Sequence, residues 1–337
     1  MKRRKFIEAT SVASTGLALV QPQLFSNTAL FPDQRKSIGI IGLDTSHAVA
    51  FTKILNEETP TEDVAGFRVT HAFPRGSWDI ESSTSRIPAY TEEIKTLGVK
   101  IVNSIPDLLK EVDFVLLETN DGRLHLDQAL QVFEAGKPVF IDKPLAASLK
   151  DVLTIFSAAE RYKVPVFSAS SLRFSPTTMA IAKGEKIGKV LGADTYSPAK
   201  IEETHPDLFW YGIHGVESLC TLMGIGCKQV RRIYKEGVDM VIGEWEDGRI
   251  GTFRGIREGK QTYGGTAFGT EGVAAAGLYE GYRPLVVEIV KFFQTGIPPV
   301  SAEETIEIFT FMEAAEESKR SNGGPVSLKE VLASVQK

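Results

Sequence analysis

A short segment after the first predicted strand combines a glycine, a carboxylate and two hydroxyl groups. Gly42 occupies the first glycine of the dinucleotide-binding pattern G-x-G-x-x-G, whereas Asp44 and His47 replace the second and third. In that pattern the glycines let the backbone approach a diphosphate, and the following helix N-terminus offers amides to it. Thr45 and Ser46 would add hydroxyl groups. Because a carboxylate repels a diphosphate, we expect Asp44 to be turned away as an N-cap of the helix. The alternative is a Rossmann-type turn without a nucleotide.

The end of the second predicted strand normally determines which ribose of the cofactor is accepted. An acidic residue there would bind the 2′-hydroxyl of NAD, but residues 71–77 contain none. Arg75 and Ser77 are suited to a 2′-phosphate, which favours NADP slightly over NAD. Both residue types are equally ordinary in a solvated loop.

The histidines and cysteines give little support for a metal site. The five histidines, at positions 47, 71, 125, 205 and 214, show no H-x-x-x-H or H-E-x-x-H spacing. Cys220 and Cys227 are too few for a disulfide framework or a cysteine-based zinc site. We therefore expect no metal.

Strands and helices alternate in the first half of the chain. Strands are predicted at 37–42, 67–73, 99–102, 112–118 and 139–141, and helices at 48–56, 92–97, 106–110 and 124–134. Residues 112–118 are largely apolar, which is typical of a parallel strand buried on both faces. This alternation predicts an α/β fold with a Rossmann-type doubly wound parallel sheet. Residues 74–90 are expected to form an exposed loop.

The pattern changes after about residue 165. Six strands follow without intervening helices, at 190–196, 229–234, 239–245, 249–254, 261–268 and 272–278. Such a succession predicts a mostly antiparallel open sheet. Helices at 284–295 and 302–320 complete an α+β domain.

Length and composition limit the function classes. A chain of 337 residues exceeds one ordinary core, so we expect a dinucleotide-binding domain at 36–164 and a substrate and oligomerisation domain at 165–337. The 42% hydrophobic and 24% charged content excludes global disorder. A net charge of −5 argues against a general nucleic-acid binder.

Residues 1–30 have the character of an export signal. Lys2, Arg3, Arg4 and Lys5 precede a weakly apolar run at 9–20, which is too short to span a bilayer. The twin arginine resembles a signal for export of folded proteins, which indicates a periplasmic protein without a membrane span after signal removal. A frayed N-terminus is the alternative. Without the leader, the remaining chain carries a charge of about −8.

Two further segments carry a family resemblance. Residues 118–125 read Glu-Thr-Asn-Asp-Gly-Arg-Leu-His, and residues 135–144 read Ala-Gly-Lys-Pro-Val-Phe-Ile-Asp-Lys-Pro. Together they resemble the T-P-N-x-x-H-like turn, the A-G-K-x-V lead-in and the E-K-P motif of the Gfo/Idh/MocA family of glucose–fructose oxidoreductase and inositol dehydrogenase. Asp142 replaces the usual glutamate, and the turn around Asn120 and Asp121 is rearranged.

The resemblance implies an NAD(P)-dependent oxidoreductase in which Lys143 lies near the nicotinamide and the substrate hydroxyl. It also implies a cis bond before Pro144. The remaining residues expected on the cofactor side are Thr119, Asn120, His125 and Asp142. Alternatively, Lys143 is an ordinary surface lysine, and His125 only caps or packs its own helix.

The resemblance also implies a substrate-domain helix with a histidine four residues after an aspartate. His214 matches the histidine and is suited to act as a general base, but Trp210 replaces the aspartate. Glu217 or a more distant acid would then fix the tautomer of His214. Trp210 and Tyr211 are expected to form a stacking wall for a sugar ring. Alternatively, His214 is a buried core residue without a catalytic role, and Trp210 and Tyr211 only pack against the protein.

The last expectations concern two further substrate contacts and the overall function. Arg173 and His205 are expected to reach the substrate. The protein is expected to oxidise a sugar, polyol or glycoside with a tightly bound NAD or NADP, loaded before export. The alternatives are a redox-assisted glycoside hydrolase or lyase without net redox change, and a non-catalytic binding paralogue. By family analogy, a homo-oligomer is expected.

Overall fold

The computed structural model describes residues 36–64 and 66–336. The predicted export signal lies outside the described residues, as does most of the linker that follows it. None of the described helices is both long and apolar enough to cross a bilayer.

The first half of the chain forms the predicted doubly wound sheet. Its six strands run in the order β3-β2-β1-β4-β5-β6, and every neighbouring pair is parallel. The strands are β1 (Lys36–Ile41), β2 (Phe67–Phe73), β3 (Lys100–Ile101), β4 (Phe114–Leu117), β5 (Val139–Ile141) and β6 (Val166–Phe167). The order reverses between β1 and β4, and a crevice for ligands lies at such a switch point.

Helices cover both faces of this sheet. They are α1 (Ser46–Leu55), α2 (Glu81–Thr84), α3 (Ile87–Thr96), α4 (Ile105–Glu111), α5 (His125–Glu134) and α6 (Leu149–Tyr162). The prediction of an exposed loop at 74–90 is wrong, since α2 and the start of α3 lie there. Ile80 and Ser83 are buried, whereas most of the other residues of this segment are exposed or partly exposed.

The second half forms a seven-stranded sheet in the order β12-β11-β7-β10-β9-β8-β13. Its strands are β7 (Val190–Pro198), β8 (Cys227–Lys235), β9 (Val238–Trp245), β10 (Ile250–Ile256), β11 (Gly264–Gly269), β12 (Val273–Ala276) and β13 (Val326–Ser327). The pairing of β7 with β10 is parallel, and the other pairings are antiparallel. The mostly antiparallel sheet is thus confirmed.

The helices of the second half pack on both sheets. They are α7 (Pro176–Ala182), α8 (Ile213–Met223), α9 (Arg283–Thr295), α10 (Ala302–Arg320) and α11 (Leu328–Val335), and a π-helical turn, Leu208–Gly212, leads into α8. Helix α9 returns to the parallel sheet, where the rings of Phe293 and Phe114 stack with centroids 4.7 Å apart.

Candidate active site

A cavity of about 350 Å³ lies beside the carboxyl ends of β1, β4 and β5. Its polar and charged lining residues are Thr45, Ser46, His47, Ser82, Arg86, Asn120, Lys143, Ser171, Lys200 and His214, and its apolar and aromatic ones are Tyr90, Leu172, Trp210, Tyr211, Tyr263, Tyr279 and Tyr282. The lining contains residues from both halves of the chain. It contains no aspartate or glutamate.

The turn from β1 into α1 passes close to the segment that follows β4. Gly42 has a φ of +92°, and a Cβ there would lie 2.5 Å from the backbone nitrogen of Thr119. Only glycine therefore fits this crossing of two strand ends. Thr45, rather than Asp44, is the N-cap, and its hydroxyl accepts a 3.4 Å hydrogen bond from the amide of His47. Thr45 and Ser46 face the cavity at the helix N-terminus, where an anion is favoured.

Asp44 is turned away from the cavity, as expected, but its role as a helix cap was predicted wrongly. Its carboxylate accepts hydrogen bonds from the amides of Ser77 at 3.3 Å and Asn120 at 3.0 Å, and from the hydroxyl of Ser83. Burial raises the pKa of Asp44, and these hydrogen bonds oppose the rise. One carboxylate thus joins the segments that follow β1, β2 and β4.

A second polar group joins the loop that follows β2 to the loop that follows β4. Arg123 lies 2.6 Å from Asp79 and 2.7 Å from Asp121. Ser77 belongs to this group through its hydroxyl, which donates to Asp79 at 2.8 Å, whereas Arg75 is exposed. The side of the crevice between β2 and β4 is therefore closed by protein contacts.

These observations define how the residues fit a dinucleotide. The cavity has room for the nicotinamide and diphosphate groups of a dinucleotide, because the α1 N-terminus, Asn120 and Lys143 surround open space. On the adenosine side, the contacts of Asp44 and Arg123 hold the β2 and β4 loops together. The adenosine of a dinucleotide would therefore have to bind over these loops or separate them.

Lys143 lies beside a buried ion-pair group at the end of β5. The Lys143–Pro144 bond is cis, as predicted. The Oδ2 atom of Asp142 lies 2.8 Å from Nδ1 of His47 and 3.9 Å from Nζ of Lys143. Burial alone would raise the pKa of Asp142, but His47 and Lys143 lower it to about 2. Asp142 therefore contacts the cavity-lining side chains of His47 and Lys143 from the side away from the cavity.

Glu118 is a fully buried neighbour that the sequence did not single out. Neither of its carboxylate oxygens has a hydrogen-bond partner among the described residues. Burial raises its pKa well above the usual value, and Asp142 adds to the rise while Lys143 opposes it. Ligand atoms of His47, Glu118 and Asp142 lie within 4.8 Å of one another, a grouping that histidine spacing along the sequence does not reveal.

His214 is buried at the start of α8, and its partner differs from the one predicted. The hydroxyl of Ser170 lies 2.8 Å from Nδ1 of His214. Glu217 instead accepts hydrogen bonds from the amide of Ser170 and from Nε of Arg173, both at 2.8 Å. Burial lowers the pKa of His214 well below its usual value, and Lys143 lowers it further. The imidazole is therefore neutral near pH 7.

Aromatic side chains form one wall of the cavity. Trp210 and Tyr211 line it as expected, and Tyr263, Tyr279 and Tyr282 complete it. The rings of Tyr211 and Tyr263 both lie edge-on to His214, at centroid distances of 5.6 and 5.5 Å. Sequence spacing gave no signal for the last three tyrosines, since they come from strand ends and loops far along the chain.

Several predicted site residues lie outside the cavity lining. Arg173 is buried between Glu217 and Glu304, at 2.8 and 2.7 Å, and does not reach the cavity. His205 lies behind Trp210, with ring centroids 4.8 Å apart, and its Nε2 is 3.4 Å from Asp121. These two placements against the substrate were wrong.

His125 and Thr119 lie next to the cavity-lining residues but outside the lining itself. The ring nitrogens of His125 lie 2.6 Å from the carbonyl of Thr119 and 3.1 Å from that of Leu145. The imidazole thus joins the β4 turn to the segment after Pro144. His125 does not line the cavity, and its ring contacts these two segments rather than its own helix.

A family model matches the first half of the chain. The model of the Gfo/Idh/MocA oxidoreductase family, described as an NAD-binding Rossmann fold, matches residues 36–170. The family resemblance is confirmed. No curated protein matches the chain.

Solved structures share the whole fold at low identity. The "probable dehydrogenase" of Thermotoga maritima has a TM-score of 0.71 at 20% identity, covering 88% of this chain and 99% of its own. The scyllo-inositol dehydrogenase of Lactobacillus casei with NAD(H) and scyllo-inositol has a TM-score of 0.69 at 15% identity, covering 87% and 99%. An oxidoreductase of Agrobacterium radiobacter in complex with NAD+, L-tartaric acid and magnesium has a TM-score of 0.68 at 15% identity, covering 88% and 99%. These likenesses show the common two-part fold.

Proposed function

Because residues 36–170 match the model of the Gfo/Idh/MocA oxidoreductase family, described as an NAD-binding Rossmann fold, we propose that the protein oxidises a hydroxyl group of a sugar or polyol with a nicotinamide cofactor. One observation carries the proposal. Lys143 at the end of β5 and His214 at the start of α8 line one cavity with the α1 N-terminus and an aromatic wall. Two structural neighbours contain polyhydroxy compounds, scyllo-inositol and L-tartaric acid, which supports this substrate class.

The cofactor, when bound, supplies a hydride acceptor or donor, and the protein supplies its orientation. The hydroxyls of Thr45 and Ser46 and the amides of the α1 N-terminus would hold its diphosphate. Asn120 and Lys143 would lie at its nicotinamide side. The exposed guanidinium of Arg75, at the end of β2, supports a preference for NADP. Dissociation constants for NADP+ and NAD+ in the native chain and an Arg75→Ala variant test that preference.

His214 and Lys143 divide the work on the substrate hydroxyl. In the tautomer protonated at Nδ1, His214 donates to Ser170, and the lone pair of Nε2 takes the hydroxyl proton as a general base. The ammonium group of Lys143 donates to the same oxygen and stabilises the negative charge that develops there. Asp142, 3.9 Å from Lys143, keeps that ammonium in place.

Rates of NAD(P)H formation test this function. The full chain is incubated with NAD+ or NADP+ and a panel of aldoses, inositols and polyols. A Lys143→Met variant should lose activity by about two orders of magnitude or more, while the control variant Lys150→Met, at an exposed lysine, keeps it. Full activity of Lys143→Met would contradict the role of Lys143. A chain that binds neither NAD+ nor NADP+ would favour the non-catalytic binding paralogue.

The contacts of Asp44 and Arg123 favour a second candidate, a redox-assisted glycoside hydrolase or lyase. Loops held together across the crevice would slow exchange of the cofactor, and a retained cofactor must be regenerated within one cycle. Export, proposed from the twin arginine at positions 3 and 4, would add the same requirement. Release of an aglycone without net change in nicotinamide redox state would support this candidate. Fractionation of the source cells tests the proposed export.

A further inference from the structure

The charge of the cavity is one-sided. Arg86, Lys143 and Lys200 line it, and no carboxylate does. Among the described residues, Arg86 and Lys200 have no ion-pair partner, whereas Lys143 has Asp142 behind it. Arg86 and Lys200 are exposed to solvent, whereas Lys143 is buried, so the two cations without a protein partner are open to pairing with a substrate anion.

Lys200 is placed against the substrate side of the cavity. It lies two residues after the end of β7, and its Nζ lies 6.0 Å from the ring centroid of Tyr211. The Nζ of Lys143 lies 6.0 Å from the same centroid. Two ammonium groups from different halves of the chain therefore flank one phenol ring, next to the edge-on contact of Tyr211 with His214.

The cofactor's diphosphate does not explain this lysine. Its expected position is the α1 N-terminus, formed by Thr45 and Ser46 in the first half of the chain. Arg86 precedes α3 in that half and faces the same cavity. Lys200 belongs to the second half, with Tyr211 and His214, where the substrate would lie.

We propose that the substrate is an acidic sugar or polyol, and that Lys200 binds its carboxylate or phosphate group. This inference rests on the proposed function. Lys143 would serve the reacting hydroxyl, while Lys200 would select substrates by charge. The aromatic wall would cover the apolar face of the sugar ring, and the anion would point toward the lysine pair.

Matched pairs of compounds test the proposal in the full chain. D-Glucuronate is compared with D-glucose, D-galacturonate with D-galactose, and D-gluconate with D-glucitol. D-Glucose 6-phosphate represents the phosphate class. Calorimetry measures binding in the presence of cofactor, and NAD(P)H formation measures turnover. We expect at least one acid to bind about tenfold or more tightly than its neutral partner, as for one charge-assisted hydrogen bond. The carboxylate and phosphate arms show which group is accepted.

Variants then assign the effect to Lys200. Lys200→Met should remove the advantage of the acid through KM and the dissociation constant, and Lys200→Arg should retain part of it. The exposed Lys186→Met should change nothing. Equal or tighter binding of every neutral partner would overturn the proposal. So would a Lys200→Met variant whose only defect is a raised KM for the cofactor.

The two proposals fail in different ways. Turnover of neutral sugars better than acids would retain the oxidoreductase function and overturn the anionic substrate. Binding of an acid that depends on Lys200, without oxidation of any compound, would retain the anion site and contradict the oxidoreductase function.

Discussion

The hydroxyl of Ser170 lies 2.8 Å from Nδ1 of His214, in the position where a carboxylate was expected. The same hydroxyl is 3.3 Å from the amide of Leu172, which donates to it. A serine held by the backbone therefore orients the imidazole. Glu217 acts one step further away, through the amide of Ser170.

Replacement of Ser170 by alanine should lower kcat by about 10- to 100-fold, because the orientation of a general base contributes part of its effect. KM should change little, since Ser170 does not line the cavity. Steady-state kinetics of Ser170→Ala and of the exposed control Ser334→Ala measure the difference. An unchanged kcat in Ser170→Ala, with the acid limb of its pH profile also unmoved, would show that Ser170 only packs the helix.

The pH dependence of kcat/KM should follow the lowered pKa of His214. Burial disfavours its charged form, so the base stays deprotonated below the usual pKa of a histidine. Activity should therefore persist as the pH falls from 7 through 6.5 and decline only at a clearly lower pH. A His214→Asn variant should lose about two orders of magnitude or more in kcat. An acid limb centred at 6.5 that survives in His214→Asn would assign it to another group.

Asp44 should contribute to stability rather than to chemistry. In Asp44→Ala the buried amides of Ser77 and Asn120 lose their acceptor, and each unsatisfied group costs about 1–3 kcal/mol. Chemical denaturation should show a loss in the free energy of unfolding of this order. The exposed Asp79→Ala variant serves as a control and should cost clearly less. Equal stability of the two variants would contradict the central place of Asp44 among the three loops.

His205 should make stability depend on pH below neutrality. Burial lowers its pKa to about 4, and Asp121 opposes this only in part. In this range the unfolded chain binds a proton that the folded chain does not, so stability contributed by the neutral ring is lost as the pH falls from 6.5 toward 4. The difference in melting temperature between the native chain and His205→Phe should therefore shrink as the pH is lowered. A difference in melting temperature that stays constant with pH would contradict a lowered pKa of His205.

The strands and the parallel sheet could be predicted because apolar runs and alternation determine them locally. The range of β2 matches its prediction residue by residue, as does that of α10. The helices of segment 74–90 could not be predicted, because Ser77 and Ser83 in it bind Asp44, a residue more than thirty positions away. Its polar sequence has no pattern of its own that marks burial.

The site was predictable only where a motif carried it. Lys143 and His214 were found through their motifs and meet in one cavity. Arg173 and His205 were placed wrongly, because an arginine or a histidine suits substrate contact as well as it suits a buried contact with a carboxylate. Lys200 and the tyrosines of the cavity wall come from separate loops, and only the tertiary fold brings such residues together.

Transfer of deuterium tests the central claim most directly. The full chain with NAD+ or NADP+ is mixed with fully carbon-deuterated sugars and sugar acids and quenched within one turnover, and the nicotinamide is analysed by mass spectrometry. We predict one deuterium on the nicotinamide ring, and its loss in Lys143→Met. A substrate that is converted while the nicotinamide gains no deuterium at any time would contradict an oxidoreductase at this cavity.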